Sequence, residues 1–146
     1  MFNFLEHNVY DRVSNPVALG YTDVDSDRID MQTYSADAVT FGCELGSVET
    51  GAVLELQVWE HTSDAAAGTE ITDGNVTFTA GATDADDKVF LVTVARSKIT
   101  KRYVYCTLVR ATAQAEVDSM FAIIHCPRTL PMTQSADVLD SATLAT

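Results

Sequence analysis

Positive charge is the scarcest commodity in this chain of 146 residues: nine Lys and Arg stand against 21 Asp and Glu, a formal net charge of −12. A surface so acidic repels a phosphate backbone, which excludes a general nucleic-acid binder. Long apolar runs are missing as well. None approaches the roughly 18 residues that a membrane-spanning helix needs, and the start, MFNFLEHNVYDR, lacks the basic and apolar regions of a secretory leader. The expectation is therefore no membrane and no export. Cysteine is sparse: Cys43, Cys106 and Cys126, an odd number without a CxxC pair, exclude a disulfide framework and a zinc knuckle. Each lies in an apolar run, where a free thiol behaves as a small buried hydrophobe.

Catalytic constellations are missing too. His7, His61 and His125 have no ligand at helical spacing, and HExxH, GxSxG, Walker and GxGxxG motifs are absent. Cys126 follows His125 directly, so on a strand their side chains point to opposite faces and cannot act as nucleophile and base. The expectation is no enzyme, no catalytic residue and no cofactor.

One stretch imitates a metal site. YTDVDSDRID (residues 21–30) places carboxylates at 23, 25, 27 and 30. A calcium loop opening at Asp23 needs Gly at its sixth place and Glu at its twelfth, but Arg28 and Tyr34 stand there. The spacing of two instead puts Asp23, Asp25 and Asp27 on one side of an extended chain, with Val24, Ser26 and Arg28 on the other. That is an acidic strand edge, which discourages stray edge-to-edge pairing; a weak cation site in the loop carboxylates is the alternative. No metal site is expected.

What the chain does have is alternation. Ala52–Glu60 sets Leu54, Leu56 and Val58 against Glu55 and Gln57, and Arg102–Arg110 sets Val104, Cys106 and Leu108 against Tyr103, Tyr105 and Thr107. Lys88–Ala95 is more continuous, as in a strand covered on both faces. Ser119–His125 is a further apolar run, and Arg28–Tyr34, Ala38–Leu45 and Asn75–Ala80 are shorter candidates. Turn signals separate them at Leu45-Gly-Ser, Glu49-Thr-Gly, Thr72-Asp-Gly-Asn and Ala80-Gly-Ala. Seven or eight strands so spaced predict an all-β fold, an antiparallel two-sheet sandwich of jelly-roll type. Residues 27–127 form its core in a single domain, with extended arms at 1–26 and 128–146.

The charges are unevenly distributed. Residues 1–87 hold 17 acids and only Arg12 and Arg28 as bases, whereas 88–110 carry Lys88, Arg96, Lys98, Lys101, Arg102 and Arg110 and no acid. This basic island is either a solvated set of strand ends or a patch for an acidic partner, another copy of the chain included. Trp59, Tyr103 and Tyr105 are either cross-strand packing or a sugar-binding face.

The stretch Lys101–Thr112 (KRYVYCTLVRAT), followed by AIIHCPR at 122–128 and by Pro131, resembles the head decoration, or cement, proteins of tailed bacteriophages. The acidic DVDSDRIDM segment, Leu45-Gly46 and Thr50-Gly51 extend the likeness over roughly residues 20 to 131. The resemblance implies a non-enzymatic virion protein folded in the bacterial host cytoplasm, a homotrimer on the outer capsid surface, bound to the major capsid protein and stabilising the head. Its contact candidates are Arg96, Lys98, Lys101, Arg102 and Arg128. A phage tail or adhesion module with a glycan-binding sandwich is the alternative.

Overall fold

The computed structural model describes residues 7–64, 67–125, 136 and 138. Ten strands are found among them: β1 (Asn8–Ser14), β2 (Val17–Gly20), β3 (Val24–Asp25), β4 (Ile29–Asp30), β5 (Ala38–Val48), β6 (Val53–His61), β7 (Thr69–Thr79), β8 (Val89–Ala95), β9 (Tyr103–Ala111) and β10 (Ala115–His125). A one-turn helix, α1 (Met31–Tyr34), precedes β5, and a 3-10 turn (Arg96–Lys98) follows β8.

The strands form two five-stranded sheets. Sheet A runs β1-β10-β5-β8 with β2 also on β10; sheet B runs β3-β9-β6-β7 with β4 also on β9. If β1/β2 and β3/β4 are each taken as one interrupted strand, there are eight positions, and the first pairs with the last, the second with the seventh, the third with the sixth and the fourth with the fifth. Every pair is antiparallel. This is one long hairpin rolled up on itself, a jelly roll, as the alternation predicts.

Burial follows the period of two. Leu54, Leu56 and Val58 on β6, with Val104, Cys106 and Leu108 on β9, meet Val39, Phe41 and Cys43 on β5 and Met120, Ala122 and Ile124 on β10, all of them fully buried. Cys43 and Cys106 are free, and burial pushes the Cys43 thiol up to about 12 and Cys106 higher still, so neither is a nucleophile. Cys126 lies outside the described residues.

The structure departs from expectation at four places. Residues 8–14 and 17–20, inside the segment expected as an arm, are strands on β10, because Val9 and Val13 alternate into the core at 0 % and 1 % exposure. Residues 1–6 and the expected arm at 128–146, apart from 136 and 138, lie outside the described residues. Arg28–Tyr34 is extended only at Ile29–Asp30, since the Asp30 side chain accepts from the Gln32 N–H and caps α1 in place of further pairing. The Thr72-Asp-Gly-Asn turn signal is an irregularity within β7, where Asp73 takes φ 61° and the register against β6 shifts between Gln57 and Trp59. Finally, β8 is not covered on both faces: it is the edge of sheet A, and Val89 and Leu91 are 51 % and 58 % exposed.

Candidate functional site

The basic island divides in space. Arg110, at the end of β9 away from Arg102, is buried at 5 % exposure, and its guanidinium donates to the carbonyls of Thr22, Ala18 and Ala115 at 2.6, 3.2 and 2.5 Å. Burial pulls its pKa down, against the nearby charge of Asp23. Arg110 is thus an internal clamp. Lys88 sits at the start of β8, in a hollow with Asp84, Phe78 and Val89.

The remaining cations gather at the opposite end of β8. Arg96, Lys101 and Arg102 line one cleft of about 390 Å³ together with Gln32, Ser35 and Thr100, and Lys98 is exposed on the adjoining 3-10 turn. Arg128, the fifth sequence candidate, lies outside the described residues.

Two carboxylates position this cleft. Asp30 caps α1 and takes the Arg102 guanidinium in a fork, Nε to Oδ1 at 3.0 Å and Nη2 to Oδ2 at 2.7 Å, with the Thr33 hydroxyl at 2.9 Å. The Arg102 hydrogen bonds, above all, hold the Asp30 carboxyl down at about 2. Glu60, from the outer end of β6, is 7 % exposed and reaches beneath the loop leading into β9. It accepts from Thr100 N–H at 2.7 Å, Thr100 Oγ1 at 2.6 Å and Lys101 N–H at 3.1 Å. Burial raises its pKa, but the Thr100 hydroxyl, both backbone donors and the Lys101 charge outweigh that and leave it below the ordinary value. Arg96 ties the 3-10 turn, Nη1 to the Ile99 carbonyl at 2.6 Å, and Lys101 Nζ donates to Thr69 Oγ1 at 2.8 Å. The cleft therefore has a fixed floor and a rim of cationic donors suited to carboxylates.

The acidic stretch is an edge, as its spacing predicts. Asp23, Asp25 and Asp27 are exposed while Val24 and Ser26 are buried, with β3 pairing only β9. Their bonds diverge: Asp25 accepts from Thr107 Oγ1 at 2.6 Å, Asp23 from the Arg110 N–H at 3.3 Å, and Asp30 faces Arg102. Among the described residues no three His, Cys, Asp or Glu side chains group as metal ligands do. EDTA is accordingly expected to leave the melting temperature unchanged in calcium-containing buffer; a drop on chelation would restore a cation site at 23–30.

Other candidates are absorbed by packing. Trp59 and Tyr105 are a registered cross-strand pair with rings 6.5 Å apart and 19° from parallel. Arg28 covers Tyr105 at 4.7 Å, and the Tyr105 hydroxyl accepts from Gly68 N–H at 2.9 Å, so this ring is not open to a sugar. His125 stands between the Asn8 amide oxygen, 3.0 Å from Nδ1, and the Thr40 hydroxyl, 2.7 Å from Nε2. An amide oxygen can only accept, which puts the proton on Nδ1; burial lowers the pKa and keeps the ring neutral.

No family model and no curated relative matches the sequence. Among solved structures the chain is similar to a protein in the structure of infectious bursal disease virus Gt strain, at 15 % identity and TM-score 0.44, over 81 % of this chain and 32 % of that one. It is also similar to the Eiger TNF of S. frugiperda, at 8 % identity and TM-score 0.40, over 94 % and 99 %, and to a desmodium yellow mottle tymovirus protein, at 12 % and 0.37, over 90 % and 89 %. The chain spans about a third of the length of the bursal disease virus protein. The jelly-roll assignment rests on strand pairing, independently of these likenesses.

Proposed function

We propose that the protein is a non-enzymatic structural component of a tailed-phage virion, decorating and stabilising the outer capsid surface by binding the major capsid protein. The observation that carries this reading is the concentration of Arg96, Lys98, Lys101 and Arg102 around one end of a body whose net charge is −12. A cationic rim on an acidic body orients it on an acidic partner surface, while the remaining charge keeps decorated particles apart. Binding the assembled shell and not its dissociated subunits would stabilise the shell by mass action, and many symmetric copies would multiply a modest contact. The sequence resemblance to cement proteins supports the same assignment.

Arg102 is the wrong residue for testing the rim, because its loss also frees Asp30 from its partner and loosens α1. The variant Lys98→Glu reverses the charge of an exposed side chain on the rim. It is expected to melt close to the parent, since surface substitutions usually cost within about 0.5 kcal/mol. Its occupancy on DNA-filled heads in co-sedimentation is expected to fall at least about tenfold, an effect that salt reproduces for the parent. Full occupancy by the variant, or undecorated heads that withstand heat as well as decorated ones, would defeat the proposal.

A further inference from the structure

In a chain of net charge −12, the cleft between α1 and the β8–β9 connection has no carboxylate on its walls among the described residues. Arg96, Lys101 and Arg102 stand there with Gln32, Ser35 and Thr100, over the buried side chains of Met31 and Ala36. The acids of the neighbourhood are occupied or do not line it. Asp30 holds Arg102, Glu60 lies under Thr100 and Lys101, and Asp37 and Glu70 come next in the chain after Ala36 and Thr69. The cations are fixed without being saturated. The Asp30 fork takes Nε and Nη2 of Arg102, whose guanidinium also lies 5.0 Å from the Tyr103 ring, and the Ile99 carbonyl takes Nη1 of Arg96. These bonds leave Nη1 of Arg102 and Nε and Nη2 of Arg96 for an incoming acceptor. Side chains held in place before binding lose little freedom on binding.

We infer that the cleft is a socket for an extended acidic segment of the partner protein, with carboxylates spaced along that segment, and not for a compact anion such as phosphate. The inference rests on the capsid-binding reading above and names what enters the cleft. Phosphate sites are commonly built on backbone N–H groups, and here those groups are spent within the fold. The N–H of Met31 donates to the Arg102 carbonyl, that of Gln32 to Asp30, that of Ser35 to the Met31 carbonyl and that of Arg96 to the Asp37 carbonyl. Those of Thr100 and Lys101 both go to Glu60. What remains is side-chain cations from two places in the chain, 96 and 101–102, sharing one cavity with the apolar carbon of Met31 and Ala36. That combination suits a peptide, whose carboxylates are separated by aliphatic and main-chain atoms, and the Gln32 amide can both donate to and accept from its main chain. A volume of about 390 Å³ falls within the roughly 300–1,000 Å³ of sites that enclose a ligand, which is room for a few residues.

The test titrates the purified full chain with a capped hexapeptide alternating Asp and Ala, with the Asn and Ala peptide as control, and follows backbone amide shifts by NMR. The acidic peptide is expected to shift the residues of the cleft walls and the control to shift none. Gln32→Trp fills the cleft from an exposed position without a change of charge. It is expected to weaken the acidic peptide at least fivefold while far-ultraviolet circular dichroism shows the fold retained. Inorganic phosphate at equal total charge is expected to leave the peptide bound. An acidic peptide that shifts nothing, or no more than the control does, overturns the inference. So does an affinity indifferent to Gln32→Trp, which marks attraction to a flat charged surface, and so does displacement by phosphate, which marks a compact-anion site. The capsid-binding reading itself is decided by co-sedimentation with heads, so the two fail separately.

Discussion

Replacing Arg110 with alanine is expected to cost about 3 kcal/mol, lowering the melting temperature by roughly 6–12 °C for a chain of this size. The guanidinium is a buried cation whose described acceptors are main-chain carbonyls, on the β2 strand, the β2–β3 connection and the first residue of β10. Those acceptors belong to the segments that close one end of the roll, and hydrogen bonds to a charged donor are individually worth more than neutral ones. Removing this side chain, itself 5 % exposed, leaves three carbonyls short of a donor and opens a gap where the stem packed. Lysine is expected to restore less than half of the loss, because one ammonium cannot reproduce a planar fork that serves three divergent carbonyls. Urea denaturation of the three proteins checks both statements. An Arg110→Ala variant within about 0.5 kcal/mol of the parent would mean that water replaces the fork and the clamp is incidental.

Arg110 also shows where reading the sequence stops. Six cations without an intervening acid form one island along the chain, and nothing in their spacing distinguishes the buried one. Alternation does place Arg110 in phase with Val104, Cys106 and Leu108, the inward face of β9, so the signal was a charged residue continuing an apolar register. The faces of β6 and β9 and the acidic edge at 23–27 were legible because each keeps its period of two without interruption. β10 was half legible: Ala115 and Val117 are buried in one phase, Met120, Ala122 and Ile124 in the other, and the register against β5 shifts between Val117 and Ser119. A bulge of that kind resets the alternation, so an unbroken pattern begins only at Ser119. The exposed flank of β8 was illegible for a different reason. Val-Phe-Leu-Val-Thr-Val is the composition of a doubly covered strand, and whether a neighbour covers it is decided by topology and assembly, which no local pattern encodes. The cleft was legible as a charge asymmetry and not as a shape, since α1, β6 and the β8–β9 connection that build it are far apart in sequence.

Glu60→Ala is expected to cost about 2–3 kcal/mol, with a fall of roughly 4–12 °C in melting temperature. The carboxylate is the acceptor for two backbone N–H groups and one hydroxyl at the entrance to β9, and its removal leaves those donors without their acceptor. Glu60→Gln separates charge from shape. The amide keeps one oxygen but presents an NH2 group where an oxygen accepted, so donor meets donor and the variant is expected to lie between alanine and the parent. Acid should reproduce part of the effect. Glu60 and Asp30 both have folded pKa values below their unfolded ones, Asp30 near 2. Their contribution is therefore complete above the unfolded carboxylate range of about 4 and is lost as pH falls from there toward 2. Because both side chains hold the β8–β9 connection, Asp30 at Arg102 and Glu60 at Thr100 and Lys101, the loss is local before it is global. Trypsin reports it directly: cleavage after Lys98, Lys101 or Arg102 requires the β8–β9 connection to leave Glu60, and is expected to quicken in Glu60→Ala while the rest of the roll remains resistant. Equal cleavage rates in variant and parent would show that the connection is held by something other than this carboxylate.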